Sequence, residues 1–347
     1  MTERLTQTDP MRRAAGRTQM SDVAQLAGVS SSTVSRVLRR PDAVSSELRA
    51  RVQQAIDQLG YMPNLMAGGL AAARTRTIGV IVPSLINSFF ASTIEAMAQS
   101  FEPYGYQVML GNSGYSVERE EALVNSFLSW SPSAIVLTGQ QHSRGTLKRL
   151  LAAELPIVEM WELGENPLDT LVGFSHRAVG QTAARHLLGR GRKNLAFVGA
   201  MLDQDRRAAH RCSGFLEALD ATRLRPLAVE RTPLRASAAT GAQAMAALLD
   251  AHPGVDGVAF SNDALMLGAL FECQRRGIRV PGDVALIGFG DFDFAACSNP
   301  TLSTIRPPRS AIGVAVAEHL LLRFTDDDAR SATVDLGFEV IARESTA

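Results

Sequence analysis

Two groups of residues in this 347-residue chain have types and spacings suited to recognition. The first is Ser30, Ser31, Ser32 and Thr33, followed by Arg36. If Ser30 caps a helix, the first turn offers free N–H groups and hydroxyls to phosphate oxygens. Arg36 can hold a guanine edge with two parallel hydrogen bonds, a contact worth about 1–3 kcal/mol. Ser31 and Ser32 are short and can discriminate bases only weakly. The second group is dispersed: Phe89, Phe90, His142, Trp161, His176, Arg177, Arg211, Asn262 and Asp291, each near the end of a short apolar run. Bases and cations outnumber the single acid, which suits an anionic ligand. Equally, the histidines could face solvent.

Bond-breaking chemistry finds little support. There is no GxSxG elbow, no Walker loop and no HExxH, and Gly111-Asn112-Ser113-Gly114 lacks the GxGxxG spacing. The expectation is a non-enzyme with no cofactor and no metal.

The elements that must position these groups follow from hydrophobic period. Val23, Leu26 and Ala27 line one face of a first helix, which Gly28 can end in a left-handed conformation. Ser30 starts a second helix with Val34, Val37 and Leu38 at helical spacing, and Pro41 closes it. Ser45 starts a third, striped by Leu48, Val52, Ile56 and Leu59 and ended by Gly60. Two short helices joined by a tight turn, polar at the start of the second, suit the DNA major groove.

From Thr77 the period changes. Short apolar strands (TIGVIVP, YQVMLGN, AIVLTG, PIVEMW, LVGFS, NLAFVGA, GVAFSN, VALIGFG) alternate with helices. That alternation predicts two doubly wound parallel sheets with helices on both faces. Ligands in such folds sit beyond the carboxyl ends of the strands, here in a cleft between two subdomains. The run 303–308 returns the chain to the first subdomain, and Leu336 to Ala342 reads as a final strand.

Charge is zero overall but uneven. Residues 1–76 hold 11 Arg and no Lys against 6 acidic residues, a net charge of +5; the remainder carries 24 basic and 29 acidic residues, −5. A basic head on a mildly acidic body fits a polyanion at one end. Cys212, Cys273 and Cys297 show no paired spacing, and the first 17 residues lack the apolar segment of a signal peptide. Reduced thiols and a cytoplasmic protein are expected. No apolar run approaches the ~20 residues that span a membrane.

Three stretches, DVAQLAGVSSSTVSRVL, YMPNLMAGGLA and IGVIVP, resemble the lactose-repressor family of bacterial transcription regulators. The likeness runs from about Met20 to Arg343. TG-QQHS and GFGD look most like the gluconate-operon repressors within it. The resemblance implies an α/β fold: an N-terminal helix-turn-helix head plus two doubly wound subdomains forming a periplasmic-binding-protein-like core. The implied division is an extension (1–19), a DNA-binding head (20–63), a hinge (64–76) and an effector and dimerisation domain (77–347). That last domain would pair 77–174 with 306–335 and 175–305 with 336–343. It further implies base contacts from Ser31, Ser32 and Arg36 and hinge contacts from Asn64, Ala67 and Leu70. By position Leu70 is the leucine that wedges into the minor groove. Arg211 in R-xx-GF and Asn262 of Asn262-Asp263 would face the effector, with Asp263 free to cap the next helix. Sugar-binding relatives often carry Asp-Asp where this chain has Gly290-Asp291, so a carboxylate is missing from the expected pocket. The resulting expectation is a homodimeric repressor, bound to double-stranded operator DNA and controlled by a sugar acid such as gluconate or its 6-phosphate. The alternatives are a repressor answering a neutral sugar, and a receptor or enzyme of the same fold without a DNA role.

Overall fold

The computed structural model describes residues 18–39, 43–62, 75–85, 89–326 and 330–347. They fall into two compact units, divided between Ala73 and Arg74. The hinge residues Asn64, Ala67 and Leu70 and the loop at Pro41 lie outside the described residues.

The first unit contains α1 (Met20–Ala27), α2 (Ser31–Arg39) and α3 (Ser46–Leu59). Gly28 ends α1 at φ 63°, and its N–H satisfies the carbonyl of Gln25. Ser30 Oγ accepts from the Thr33 N–H at 3.2 Å, and Ser45 Oγ from the Leu48 N–H at 3.4 Å. Both serines therefore cap the helices they precede. Val23, Ala24, Ala27, Val34, Val37, Val52 and Ile56 form a shared core. Leu26 departs from the expected stripe. It is 49 % exposed, one helical step from the buried Ala27.

The second unit holds two six-stranded sheets. β1 (Thr77–Val82), β2 (Gln107–Asn112), β3 (Ala134–Thr138), β4 (Ile157–Met160), β5 (Thr170–Gly173) and β11 (Thr333–Asp335) form one, in the order β11-β5-β4-β3-β1-β2, all parallel. β6 (Leu195–Ala200), β7 (Ala228–Thr232), β8 (Gly257–Phe260), β9 (Ala285–Phe289), β10 (Ser303–Arg306) and β12 (Glu339–Ile341) form the other, in the order β12-β10-β9-β8-β6-β7. Its edge strand β12 runs antiparallel to β10. The central strands are buried along nearly their whole length, as both-face coverage requires.

Helices fill the connections. On the first sheet they are α4 (Ala91–Phe101), α5 (Val117–Leu128) and α6 (Arg144–Ala152). On the second they are α7 (His176–Gly189), α8 (Arg206–Ala221), α9 (Ala238–Ala251), α10 (Asp263–Arg275) and the short α11 (Asp293–Cys297). After β10 the chain returns to the first sheet as α12 (Arg309–Thr325), which packs on α4; Thr93 Oγ1 donates to the Arg309 carbonyl at 2.8 Å. Neither α12 nor β11 is among the elements expected from the sequence. The final strand is also shorter than the expected Leu336 to Ala342. Among the described residues no helix is long and apolar enough to cross a membrane.

Candidate functional site

Between the two sheets, beyond their strand ends, lies a cleft enclosing about 770 Å³ of space, open solvent included. The first sheet's side supplies Ser84, Phe89, Phe90, Tyr115 and Trp161. The second sheet's side supplies His176, Met201, Asp205, Arg207, Arg211, Arg235, Asn262 and Phe289, with Ala200 and Ala236.

Arg211 is the deepest cation. Its helix α8 lies against α7 at backbone contact: a Cβ on Gly180 would stand 1.8 Å from the Arg211 carbonyl, and one on Gly214 would stand 1.9 Å from that of Arg177. Only two glycines allow this approach, and it brings Arg211 against the first turn of α7. Arg211 Nη1 donates to His176 Nδ1 at 2.8 Å, Nε donates to the Ser261 carbonyl at 3.1 Å, and the guanidinium carbon lies 4.2 Å from the Phe289 ring centroid. His176 Nε2 donates to the Trp161 carbonyl at 2.8 Å. With Nδ1 accepting and Nε2 donating, His176 is the neutral tautomer. Burial, followed by the Arg211 charge, holds its pKa well below the usual histidine value. Burial also lowers Arg211, to about 10, so it remains charged at neutral pH. Among the described residues no carboxylate lies within ion-pair distance of it.

The floor is aromatic. Phe89 stacks on Phe289 at 5.6 Å and meets Phe292 edge-on at 4.7 Å; Phe90 and Phe174 flank Trp161. Trp161 Nε1 donates to Thr93 Oγ1 at 3.2 Å, which fixes the indole. Gly290 has φ 134°, and a Cβ there would stand 2.9 Å from the Phe89 ring. The aromatic packing thus leaves no room for a side chain at this position. Asn262 Oδ1 caps α10 by accepting from the Leu265 N–H at 3.1 Å, which leaves its amide N–H groups at the cleft. Asp263, expected as a possible cap, is instead fully buried. It accepts from Thr304 Oγ1 at 2.7 Å and the Phe292 N–H at 3.1 Å, and burial raises its pKa to about 6.

The first turns of α8 also reach across the cleft. Arg207 Nη1 donates to the Thr138 carbonyl at 3.4 Å. His210 accepts from Arg206 on Nε2 and faces Glu162 Oε1 with Nδ1 at 3.1 Å, so Nδ1–H is the donor there. Burial pushes Glu162 up, but the His210 hydrogen bond and the Arg207 charge outweigh it and hold the carboxyl below its usual value.

Of the nine expected effector residues, Phe89, Phe90, Trp161, His176, Arg211 and Asn262 line the cleft, and three do not. His142 is buried in the first sheet's half, with Nδ1 2.6 Å from Glu120 and Nε2 3.3 Å from Glu159. Burial lowers its pKa, but the two carboxylates prevail and raise it to about 9. Arg177 sits one helical step from His176, on the outer surface, paired with Glu217. Asp291 accepts from Arg306 Nε at 2.6 Å and from Arg343 Nη2 at 2.7 Å, and its carbonyl accepts from Arg309 Nη2 at 3.2 Å. It therefore clamps the chain segments that pass between the sheets instead of facing a ligand. Tyr115, Asp205, Arg207 and Arg235 were missed. Arg207 lies four residues before Arg211, hence on the same helix face, and that spacing could have found it. Tyr115 and Arg235 sit on loops without such a signal.

In the first unit, Ser31, Ser32 and Arg36 are exposed on α2, opposite the buried Val34 and Val37. Ser30 Oγ also lies 2.8 Å from Ser32 Oγ and 2.9 Å from Thr33 Oγ1, forming a hydroxyl cluster at the helix start.

Comparison with known proteins adds to this geometry. Residues 19–64 match the family model for bacterial regulatory proteins of the lacI family, and residues 184–346 match the periplasmic binding protein-like domain. The HTH-type transcriptional regulator GntR of Pseudomonas aeruginosa is 41% identical over 343 residues, 99% of each chain. A LacI-family transcriptional regulator from Silicibacter pomeroyi superposes with a TM-score of 0.90 at 33% identity, over 95% of this chain and 99% of that one. The transcription regulator GntR from Chromobacterium violaceum does so with a TM-score of 0.74 at 35% identity, over 78% of this chain and 99% of that one. With a helix-turn-helix head of this form and full-length likeness to such regulators, the chain is a DNA-binding transcription regulator that belongs to the LacI family.

Proposed function

We propose that this regulator represses by binding a palindromic operator as a homodimer, and that a sugar acid of the gluconate type, held in the cleft, controls the binding. The observation that carries the effector reading is Arg211. A guanidinium buried to 5 % exposure, with no carboxylate partner among the described residues, faces a ligand cleft. An unpaired buried charge is costly, and an anionic ligand removes that cost through charge-assisted hydrogen bonds. Arg207 and Arg235 add positive charge at the same cleft, against Asp205 alone. Asn262 amide N–H groups and the Phe89, Trp161 and Phe289 rings suit hydroxyls and the apolar faces of a polyol chain.

On the DNA side, Ser30, Ser31, Ser32, Thr33 and Arg36 form the reading surface, and the segment with Asn64, Ala67 and Leu70 joins head to core. A two-fold protein matches a palindromic site. Control is a population shift: an effector that binds the closed cleft more tightly favours the core conformation in which the two heads no longer fit the operator.

The test is calorimetry on the full chain. Gluconate should bind much more tightly than glucose, which has similar hydroxyls but no charge. Equal affinity for the two would overturn the acid reading and leave a repressor controlled by neutral sugars.

A further inference from the structure

Glu162 follows Trp161 beyond the end of β4, in the first sheet's half, and its side chain is buried. Its backbone is gripped by β5: a Cβ on Gly173 would stand 2.5 Å from the Glu162 nitrogen. A carboxylate buried in this way is costly unless nearby groups answer its charge. One of them belongs to its own half, the backbone N–H of Gln140. The others come from α8, across the cleft. His210 Nδ1–H donates to Glu162 Oε1 at 3.1 Å. Arg207 and the carboxylate flank Gly139: a Cβ there would stand 3.0 Å from Arg207 Nη1 and 3.0 Å from Glu162 Oε2. Arg207 also donates to the Thr138 carbonyl of the first sheet's half, while Asp205 draws on its Nη2 at 3.7 Å.

Neither Glu162 nor His210 is among the residues that line the cleft. Their contact joins the end of β4 to α8, so it exists only while the two walls are together. When the walls part, water replaces the His210 N–H and screens the Arg207 charge. Which arrangement the carboxylate prefers can be read from its acidity. Burial pushes the Glu162 pKa up, but the His210 hydrogen bond and the Arg207 charge hold it below its usual value. The ionised carboxylate is therefore better stabilised between the walls than in water, and it favours their approach.

We propose that Glu162 and His210 form a latch that closes the cleft without touching the effector. The latch raises the share of the effector-free chain in which the binding-competent closed form already stands, and it slows the escape of a bound ligand. Its consequence for gluconate rests on the effector reading given above; the latch itself stands on the contact between the walls.

The experiment uses the full chain in a Trp130→Phe background, which leaves Trp161 as its one tryptophan. Trp161 lines the cleft and is buried, so quenching of its emission by acrylamide reports opening with no effector present. Glu162→Gln and His210→Ala cut the latch from opposite walls. Each should raise the quenching severalfold while thermal unfolding stays cooperative, and the double variant should do little more than either, since both remove one contact. Gluconate affinity should fall about tenfold in each, mainly through faster release, as expected when the competent form becomes rare. Unchanged quenching in the single variants overturns the latch, as do additive effects in the double variant. Tighter gluconate binding by Glu162→Gln overturns it too, for the carboxylate then only competes with the ligand for Arg207. Where one single variant does not fold, the other decides. A parent protein that binds no gluconate would sink the sugar-acid reading, and the quenching would still decide the latch.

Discussion

Arg211 Nη1 donates to His176 Nδ1 at 2.8 Å, and both side chains are buried. A cation beside a histidine is tolerable only while the histidine is neutral. Burial and the Arg211 charge keep it neutral, and the Trp161 carbonyl fixes the tautomer by accepting from Nε2–H, so that the Nδ1 lone pair is left for the guanidinium. The pair therefore aims a fixed positive charge into the cleft.

Arg211→Ala should abolish the effector response while operator binding survives. Titration should show effector affinity falling about a hundredfold, in line with loss of a buried charge-assisted pair of 2–3 kcal/mol. Gel shifts should show a repressor that the effector no longer displaces. Arg211→Lys should restore little, because an ammonium cannot reach the Ser261 carbonyl and the ligand together with planar geometry. Normal displacement by gluconate in Arg211→Ala would refute the assignment.

Asp291 should separate stability from ligand binding. Its carboxylate joins Arg306 to Arg343, at the places where the chain passes between the sheets. Asp291→Ala should cost about 1–3 kcal/mol in urea unfolding, since charge-assisted hydrogen bonds are lost and their partners keep some solvent. A loss of effector affinity as large as that in Arg211→Ala, without loss of stability, would return Asp291 to the ligand site.

What the sequence disclosed and what it hid follow from the range of each signal. Apolar period placed β1, β3 to β6, β8 and β9, because a buried parallel strand needs an apolar run wherever it lies. Helix caps at Ser30 and Ser45 were legible because their hydrogen bonds span three residues. α12 was passed over although Ile312, Val316, Ala317 and Leu320 are buried at helical spacing. His142 and Asp291 lie off the cleft for a different reason. Their partners, Glu120 and Glu159, Arg306 and Arg343, are brought to them only by tertiary folding. Arg177 fell to rotation, since one step along α7 separates the cleft from the surface.

His142 predicts a pH dependence of stability. Between Glu120 and Glu159 its folded pKa is raised from 6.5 to about 9. The folded state then keeps a proton that the unfolded state releases, so the contributed stability is complete below about 6.5 and is lost as pH rises through about 9. The melting temperature should fall across that window in the wild type and fall less steeply in His142→Gln. At neutral pH, His142→Ala should cost about 3–5 kcal/mol, because two carboxylates are left facing each other without their cation. Parallel melting curves for wild type and His142→Gln from pH 6.5 to 9.5 would show that the histidine is not charged there.

Arg36 distinguishes reading from mere attraction. It is exposed on α2, two residues after the buried Val34 and one before Val37, so it faces away from the helical core. Among the described residues it has no ion pair, and an exposed helix position costs little to truncate. Arg36→Ala should therefore leave the head folded, with its melting curve within about 0.5 kcal/mol of the wild type. On the operator it should cost about 1–3 kcal/mol and relax the preference at one base pair per half-site, as loss of a bidentate guanine contact does. Binding to a library of half-site variants separates the two roles. A uniform loss across all sequences, with the salt dependence reduced by about one ion, would make Arg36 a phosphate contact and leave base reading to other residues of the head.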